Sequence, residues 1–565
     1  MAEAEWLASP ALLLIVGSLL VPLLRPVLRR IYSLALPSAG LALLVALPDG
    51  ESGRVEIFDL ELVTLRVDKL SFVFALAFLI AGMLAAIYSW HVRDNLQHVA
   101  ALIYAGGGIG ATLAGDLVTL LLYWELTAIS SAFLIWARRT ERAFKVGMRY
   151  LLIQVSSGVL LLAGIAVHYV STGNLGFDAM TLADPGAPLI FIAFGVKCAF
   201  PLLHNWLQDA YPEATVTGTV LLSIYTTKLA VYTLARGFPG TEQLVWIGVA
   251  MTLFPVVYAV IENDLRRVLS YSLNNQLGFM VVGIGIGTEL AINGAVAHAF
   301  AHIIYKALLF MAMGAVLYRV GTIKASELGG LYRTMPWTTG FCIVGSASIS
   351  AFPLLSGFVT KSMILSAAVE DGRWVVYVLL LVASAAVVDH SGIKVPFFAF
   401  FSHDSGKRPK EAPANMLAAM GLAAALCLAI GLYPQPLYDL LPNAVTYSAF
   451  TGTHLLIQLQ LLMFAVAGFV FLYRRGWYPV EIPATNLDFD WTYRWAVPRL
   501  WWRGAQVATR LGQRAGPLHE QLRGGLAVAS RPLRLRGWLA AAWSTGAMVW
   551  WVALLLGLYL VLALR

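Results

Sequence analysis

Apolar blocks of roughly twenty residues recur along almost the whole chain, and twenty is the number a helix needs to cross about 30 Å of hydrocarbon. Such a chain is read as one that threads a bilayer repeatedly. Composition agrees: 59% of its 565 residues are hydrophobic and only 12% are charged, against about 25% charge in a soluble domain. The blocks predict spans near 9–25, 30–47, 70–90, 97–114, 117–137, 145–170, 189–207, 214–236, 242–261, 267–286, 290–318, 338–366, 374–401, 415–433, 453–473 and 538–563. That is an all-α polytopic membrane protein of about 16 helices.

Charge in the loops tests the count, because cytoplasmic loops collect Lys and Arg. Loops after odd-numbered spans hold Arg25, Arg29 and Arg30, then Arg138, Arg139, Arg142 and Lys145, and later Arg319, Lys324 and Arg333. Loops after even-numbered spans hold Arg54, Arg66, Lys69, Arg236 and Arg373, with acids in excess. Gaining or losing one span scrambles this alternation. The expectation is a bacterial inner-membrane protein with its N-terminus on the outer side. The net charge of +8 is then the basic excess of cytoplasmic loops, not a nucleic-acid signal. Glu3 and Glu5 precede the first apolar block, so it is expected to stay as a membrane helix rather than be cleaved. The stretch at 48–68 alternates in polarity and predicts a short outer hairpin. Cys198, Cys342 and Cys427 sit inside apolar segments without metal-type spacing and read as core residues.

One pentapeptide occurs twice. AFPLL stands at Ala199–Leu203 and at Ala351–Leu355, with Lys197 before the first proline and Lys361 after the second. The two copies are five spans apart and so run in opposite directions. Two inverted five-helix repeats with interrupted helices follow from that, a transporter signature. The expected divisions are 1–96 for N-terminal helices and the hairpin, 97–236 and 242–401 for the repeats, and 402–475 for additional helices. Beyond them, 476–537 is expected to be a cytoplasmic amphipathic or lateral segment and 538–565 a last membrane helix.

An ionisable side chain at the bilayer centre costs at least about 2.5–3.5 kcal/mol, so each one asks for a reason. Here they form a series: Glu125 in the fifth span, Lys197 in the seventh, Lys228 in the eighth, His298, His302 and Lys306 in the eleventh, and Lys361 in the twelfth. Asp389, His390 and Lys394 follow in the thirteenth. His298, His302 and Lys306 are spaced i, i+4, i+8 and share one face of an apolar helix. Two His at i, i+4 also suit zinc, but no acid or third His lies nearby in sequence, so no metal is expected. Pro201 deprives the carbonyl of Lys197 of its helical partner, and Pro353 does the same to Ile349. Polar groups and water can reach a site of that kind. Burial penalises a lysine's charged form and a nearby carboxylate restores it, so a neighbour's charge can switch such a lysine between holding and releasing a proton. Proline and serine can also merely loosen helix packing.

The segments WELTAISSAFLI around Glu125, KCAFPLLHNWLQDAYPEA from Lys197, TTKLAVYTLAR around Lys228, DLRRVLSYSLNNQLGF from Asp264, HAFAHIIYKALLFMAMGAV from His298 and FPLLSGFVTKSMIL ending at Lys361 resemble, in order, the motif blocks of one family. It is the antiporter-like membrane subunits shared by Mrp-type Na+/H+ antiporters, respiratory complex I and membrane-bound hydrogenases. TTKLAVYTLAR looks closest to the D-type subunit of Mrp antiporters. The resemblance implies that Glu125 pairs with the broken-helix Lys197, that Lys228, His298, His302 and Lys306 form a central proton relay, and that Lys361 ends it. His204 is implied to be structural or on an inlet path. It also implies other membrane subunits as partners, with protons and Na+ as the ions moved.

Three departures from the family pattern stand out. Gln208 replaces a frequent proline and leaves a local turn in doubt. VVDHSGIK is unusually polar, making Asp389, His390 and Lys394 candidate exit or cation contacts, with a local ion pair as the plainer reading of Asp389–His390. After about 433 the chain continues with arginine-rich, amphipathic sequence, which reads as a lateral helix at the membrane surface, shortened and broken by Pro498, Pro517, Pro532 and glycines. The sequence carries no redox motif, Rossmann glycine pattern or P-loop, so no cofactor is expected. Three roles fit: a component of a sodium/proton antiporter, a membrane-arm component of a quinone- or hydrogen-linked oxidoreductase, and a proton-conducting partner in inorganic-carbon uptake.

Overall fold

The computed structural model describes residues 9–514, apart from 58–59, 480 and 484–485. Two units emerge, one ending at Asn486 and one beginning at Leu487.

The first unit is a bundle of helices. It begins with α1 (Pro10–Ser18), α2 (Pro26–Ala46), and strands β1 (Gly50–Ile57) and β2 (Leu60–Val67). The strands pair antiparallel from Gly50↔Val67 to Ile57↔Leu60, at the position where alternating polarity predicts a hairpin. Val63 binds the hairpin to the bundle, its N–H donating to Asp116 Oδ2 (2.8 Å) and its carbonyl accepting from Gly115 (2.9 Å). Next come α3 (Lys69–Tyr88), α4 (Asn95–Leu113), α5 (Leu117–Trp136), α6 (Glu141–Thr172), α7 (Ala187–Cys198), α8 (Asn205–Ala210), α9 (Val216–Ile224) and α10 (Thr226–Gly237). The second half runs α11 (Glu242–Ile261), α12 (Leu265–Ile286), α13 (Glu289–Val320), α14 (Pro336–Ile349), α15 (Ser356–Glu370), α16 (Trp374–Val387), α17 (Lys394–Pro396), α18 (Ala414–Leu432), α19 (Gln435–Tyr438) and α20 (Gly452–Arg474).

Local chemistry sets these boundaries. Asp68, Asp94, Asp116, Thr140, Thr215, Asp264, Thr288 and Thr451 each cap a helix by accepting a backbone N–H of its first turn. Gly173, Gly287 and Gly321 end α6, α12 and α13 in the left-handed conformation that glycine adopts freely. Helix α13 is the axis of the unit: it is almost wholly buried and packs against α3, α9, α12, α14, α15 and α18. Helices α11 and α12 approach closely because Gly248 faces Gly278; a Cβ on Gly278 would stand 2.6 Å from the Gly248 carbonyl.

Among the described residues, nine helices are long and apolar enough to cross a membrane. Several other expected spans are interrupted. The seventh stops at Cys198, the eighth divides at Tyr225 into α9 and α10, and the twelfth divides into α14 and α15. The thirteenth loosens into π turns at Val388–Ile393 and Phe397–Phe401, on either side of α17. Outer helices present apolar side chains outward, as Leu456, Met463 and Phe464 of α20 do.

The second unit contains α21 (Val497–Arg514) after a π turn at Thr492–Ala496. Pro498 does not break it: helical backbone runs through it from Asp490, and the π turn just before it, where Val497 N–H reaches the Thr492 carbonyl, accommodates the ring. Gly504 is also carried within the helix. The expected last span at 538–563, and Pro517 and Pro532, lie outside the described residues.

Candidate functional site

The two AFPLL segments share one backbone design. Ala199 and Ala351 have φ of 61° and 56°, and Leu202 and Leu354 have 73° and 72°. Left-handed geometry costs a non-glycine residue roughly 1–2 kcal/mol, and here it recurs at matched positions. Hydrogen bonding repeats as well. Phe200 N–H reaches the Gly195 carbonyl (3.0 Å) as Phe352 N–H reaches that of Ala347 (2.9 Å), and Ala199 reaches Val196 (3.2 Å) as Ala351 reaches Ser348 (3.0 Å). Each break leaves a helix terminus inside the bundle with a lysine beside it.

At the first break Lys197 is fully buried in the last turn of α7. Its ammonium donates to the Trp124 carbonyl (2.5 Å) and to Thr127 Oγ1 (2.9 Å), and lies 4.1 Å from the centre of the Trp124 ring. Trp124 is fixed in turn by Ser157 on α6, which donates to the Ala193 carbonyl on α7. Glu125 projects from the same turn of α5 and is the main charge felt by Lys197, yet among the described residues the two form no direct ion pair. The expected Glu125–Lys197 pair is therefore a through-space relationship, with Trp124 and Thr127 holding the ammonium. The Glu125 carboxylate rests against Gly158, where an added Cβ would fall 1.3 Å from Oε1.

Lys228 lies one turn beyond the division at Tyr225, and its ammonium donates to the Ser223 carbonyl at the end of α9. The division is pinned by Tyr104, whose hydroxyl accepts from Thr226 N–H (3.0 Å) and contacts Thr226 Oγ1 (2.5 Å).

The stripe on α13 is buried throughout. His298 contacts Thr360 Oγ1 on α15 through Nδ1 (3.0 Å) and Gln276 Oε1 on α12 through Nε2 (3.2 Å). Tyr305 donates to the same Gln276 oxygen (3.2 Å). The His302 ring lies 6.2 Å from that of His298 and 5.2 Å from that of Tyr305. Among the described residues, neither nitrogen of His302 nor the Lys306 ammonium makes a hydrogen bond. Lys228 and Lys306 both act electrostatically on His302.

At the second break Lys361, on α15, donates to the Ile349 carbonyl (3.1 Å), the acceptor that Pro353 leaves open. Its ammonium lies 5.0 Å from the centre of the Phe279 ring. Thr360, next in sequence, joins this lysine to His298. On α20, Gln458 donates to the neighbouring Ser350 carbonyl (3.1 Å).

The thirteenth-span cluster is separate from the stripe but electrostatically linked to it, since His390 feels Lys306 and Lys361 as well as Lys394. His390 Nδ1 contacts Ser391 Oγ (2.8 Å), which donates to Ser272 Oγ on α12 (2.6 Å). Asp389 accepts from Tyr478 (3.4 Å). Among the described residues Asp389 and His390 form no ion pair with each other, because the π turn sends them to different partners. His204 is buried at the start of α8 with its ring 4.4 Å from that of Phe254, and Gln208 lies within α8, which continues through it.

Sequence reasoning did not single out Thr127, Gln276 or Tyr305. The signal for Gln276 was available: Asn274, Asn275 and Gln276 stand together inside α12, and all three are fully buried. Three neutral polar side chains on a buried helix need internal partners.

The chain is similar to several known proteins. Residues 114–388 match the family model described as NADH:quinone oxidoreductase/Mrp antiporter, TM. The D-type Na(+)/H(+) antiporter subunit of Alkalihalophilus pseudofirmus is 30% identical over 354 residues, which are 58% of this chain and 71% of that protein. A probable K(+)/H(+) antiporter protein of Rhizobium meliloti, of the A/B type, is 30% identical over 69% of this chain, and the chain spans only 42% of it. Among solved structures, the Mrp complex from Dietzia sp. DQ12-45-1b matches with a TM-score of 0.77 and 25% identity, over 92% of this chain and 61% of the other. A chain of the archaeal membrane-bound sulfane sulfur reductase shares the fold, with a TM-score of 0.72 and 22% identity over 98% of this chain and 100% of its own length. The chain belongs to the NADH:quinone oxidoreductase/Mrp antiporter transmembrane family, the polytopic membrane subunits of Mrp and complex I type.

Proposed function

We propose that the chain is the proton-translocating subunit of a multisubunit monovalent cation/proton antiporter, with Na+ as the counter-ion. The observation that carries this reading is the coincidence of buried ionisable groups with interrupted helices: Lys197 sits in the last turn of the interrupted α7, and Lys228 and Lys361 donate to carbonyls at a break. In this reading Glu125 sets the charge state of Lys197, and Lys228 passes the change to Lys306, His302 and His298. The last of these is coupled to Lys361 through Thr360. A cation arriving at one group weakens proton binding at the next, so charge travels as a series of local adjustments. Among the described residues the nitrogens of His302 and the Lys306 ammonium make no hydrogen bond to protein, which leaves them free to bond with mobile groups such as water. Asp389, His390 and Lys394 take the exit. The layout is two inverted repeats, 97–236 and 242–401, in an inner membrane with the N-terminus outside, as the loop arginines and lysines support.

A second reading makes the chain a membrane-arm component of a respiratory oxidoreductase. Its support is the family model itself, whose description joins NADH:quinone oxidoreductase with Mrp antiporter subunits. Gentle purification from native membranes, with mass spectrometry of what accompanies the chain, separates the two. Small hydrophobic subunits without redox proteins, together with Na+-dependent proton movement in vesicles, are expected. Iron–sulfur or flavin subunits would overturn the antiporter assignment in favour of the membrane arm.

A further inference from the structure

The ammonium of Lys394 has three N–H donors and lies against three oxygens. Two are carbonyls at the end of α11, those of Val260 (2.5 Å) and Glu262 (2.7 Å). Cations are favoured at such a helix C-terminus. The third comes from outside both repeats: Glu481 Oε1, 2.8 Å away, on the segment after α20. The Lys394 side chain is 0% exposed and that of Glu481 6% exposed. A pair so deeply placed is costly to desolvate and is weak evidence for stability alone.

The segment carrying Glu481 is anchored on both sides of it. The Tyr478 ring packs 4.9 Å from that of Phe469 on α20 and 6.3 Å from that of Phe398, while its hydroxyl donates to Asp389. Asn486 donates to Glu262 Oε2 (3.2 Å). Beyond the carboxylate a surface cleft of about 390 Å³ opens, lined by Ser326, His403, Tyr478 and Glu481. Glu481 therefore stands between a buried ammonium and the surface. The charged and titratable groups facing this pair are Asp389 and His390 from the π turn, Glu262 after α11 with Arg267 of α12 beside it, Tyr478 from the same segment, and His403 across the cleft. Burial pushes the Glu481 carboxyl above its usual range, with Lys394 working against that rise.

We propose that Glu481 is the carboxylate through which Lys394 exchanges its proton with the surface cleft. An N–H bond of the Lys394 ammonium breaks as an O–H bond forms on Glu481 Oε1, leaving a neutral amine beside a carboxylic acid. The acid then releases its proton into the cleft, and Lys394 is recharged from the buried line. This rests on the reading of that line as a proton path, and it adds an end residue that neither repeat supplies.

The test uses the full chain in its native complex, in inside-out vesicles, with proton movement followed across a range of pH. Glu481→Gln is expected to cut the rate at least about tenfold while the complex still assembles, and a double variant with Lys394→Met is expected to fall no further than either single one. Glu481→Asp is expected to keep most of the rate and to move its pH profile toward acid by a few tenths of a unit, as the more acidic carboxyl requires. If Glu481→Gln moves protons with the native rate and pH profile while Lys361→Ala is inactive, this proposal is overturned and the buried line stands. If Lys361→Ala is active too, the proton-path reading itself falls. Should Glu481→Gln fail to assemble, Glu481→Asp decides, and an unshifted profile overturns the proposal.

Discussion

The ammonium of Lys361 donates to the carbonyl of Ile349 across the break between α14 and α15, and Pro353 is the reason that carbonyl is open. A proline cannot return the N–H that a regular helix would send back four residues. Replacing Pro353 with alanine restores a competing donor and lets the break close toward continuous helix. Pro353→Ala is expected to lower ion movement several-fold with the complex still assembled, as measured in vesicles matched for subunit content.

Glu125 owes its position to a residue without a side chain. An added Cβ at Gly158 would coincide with the Glu125 carboxylate, which is the movable end of a flexible chain and yields more cheaply than backbone. Gly158→Ala is therefore expected to fold and assemble, and to approach the transport defect of Glu125→Ala. Thermal unfolding close to the native midpoint together with a lost transport signal would check both halves.

Asp68 caps α3 through the Ser71 N–H (2.9 Å) and holds Arg236 with both carboxylate oxygens (2.7 Å each). Burial raises the Asp68 carboxyl, but Arg236, the Ser71 N–H and Arg66 outweigh it and hold the group below the usual carboxylate range. A lowered acid stabilises the fold above the ordinary carboxylate range, and the benefit disappears as pH falls through the lowered value. Asp68→Ala is expected to cost about 1–2 kcal/mol at neutral pH, discounted for the partial exposure of Asp68. The deficit should shrink as the pH falls below the carboxylate range, read as converging unfolding temperatures of variant and native protein.

The chain divides after Asn486, and α21 beyond it is a strongly amphipathic helix that carries Val497 and Trp501 on one face and Arg499 and Arg503 on the other. Removing residues from about 490 onward is expected to weaken association with partner subunits more than it slows ion movement, compared by native electrophoresis and vesicle transport. An assembled but inactive truncation would count against this.

The breaks in the seventh and twelfth spans were legible because AFPLL occurs twice with a lysine beside each copy. Proline chemistry alone locates the Ile349 carbonyl that Lys361 uses. The hairpin was legible from alternating polarity, and the stripe of His298, His302 and Lys306 from helical spacing. The division at Tyr225 was not legible, because it contains no proline or glycine and is held by Tyr104, which bonds Thr226 across 122 positions of sequence. The direct partners of the charges were also hidden. Thr127 and Gln276 are uncharged and reach Lys197 and His298 from other helices, so only packing reveals them. Pro498 misled because the π turn directly before it lets helical backbone carry a proline that a regular α-helix would not.

Central to the proposed function is the movement of protons through the buried line from Glu125 to Lys361. Proton movement in inside-out vesicles holding equal amounts of assembled complex tests it most directly, with Glu125→Ala and Lys361→Ala set beside the native chain. Both variants are expected to fall to background, and native rates in either one would contradict the claim.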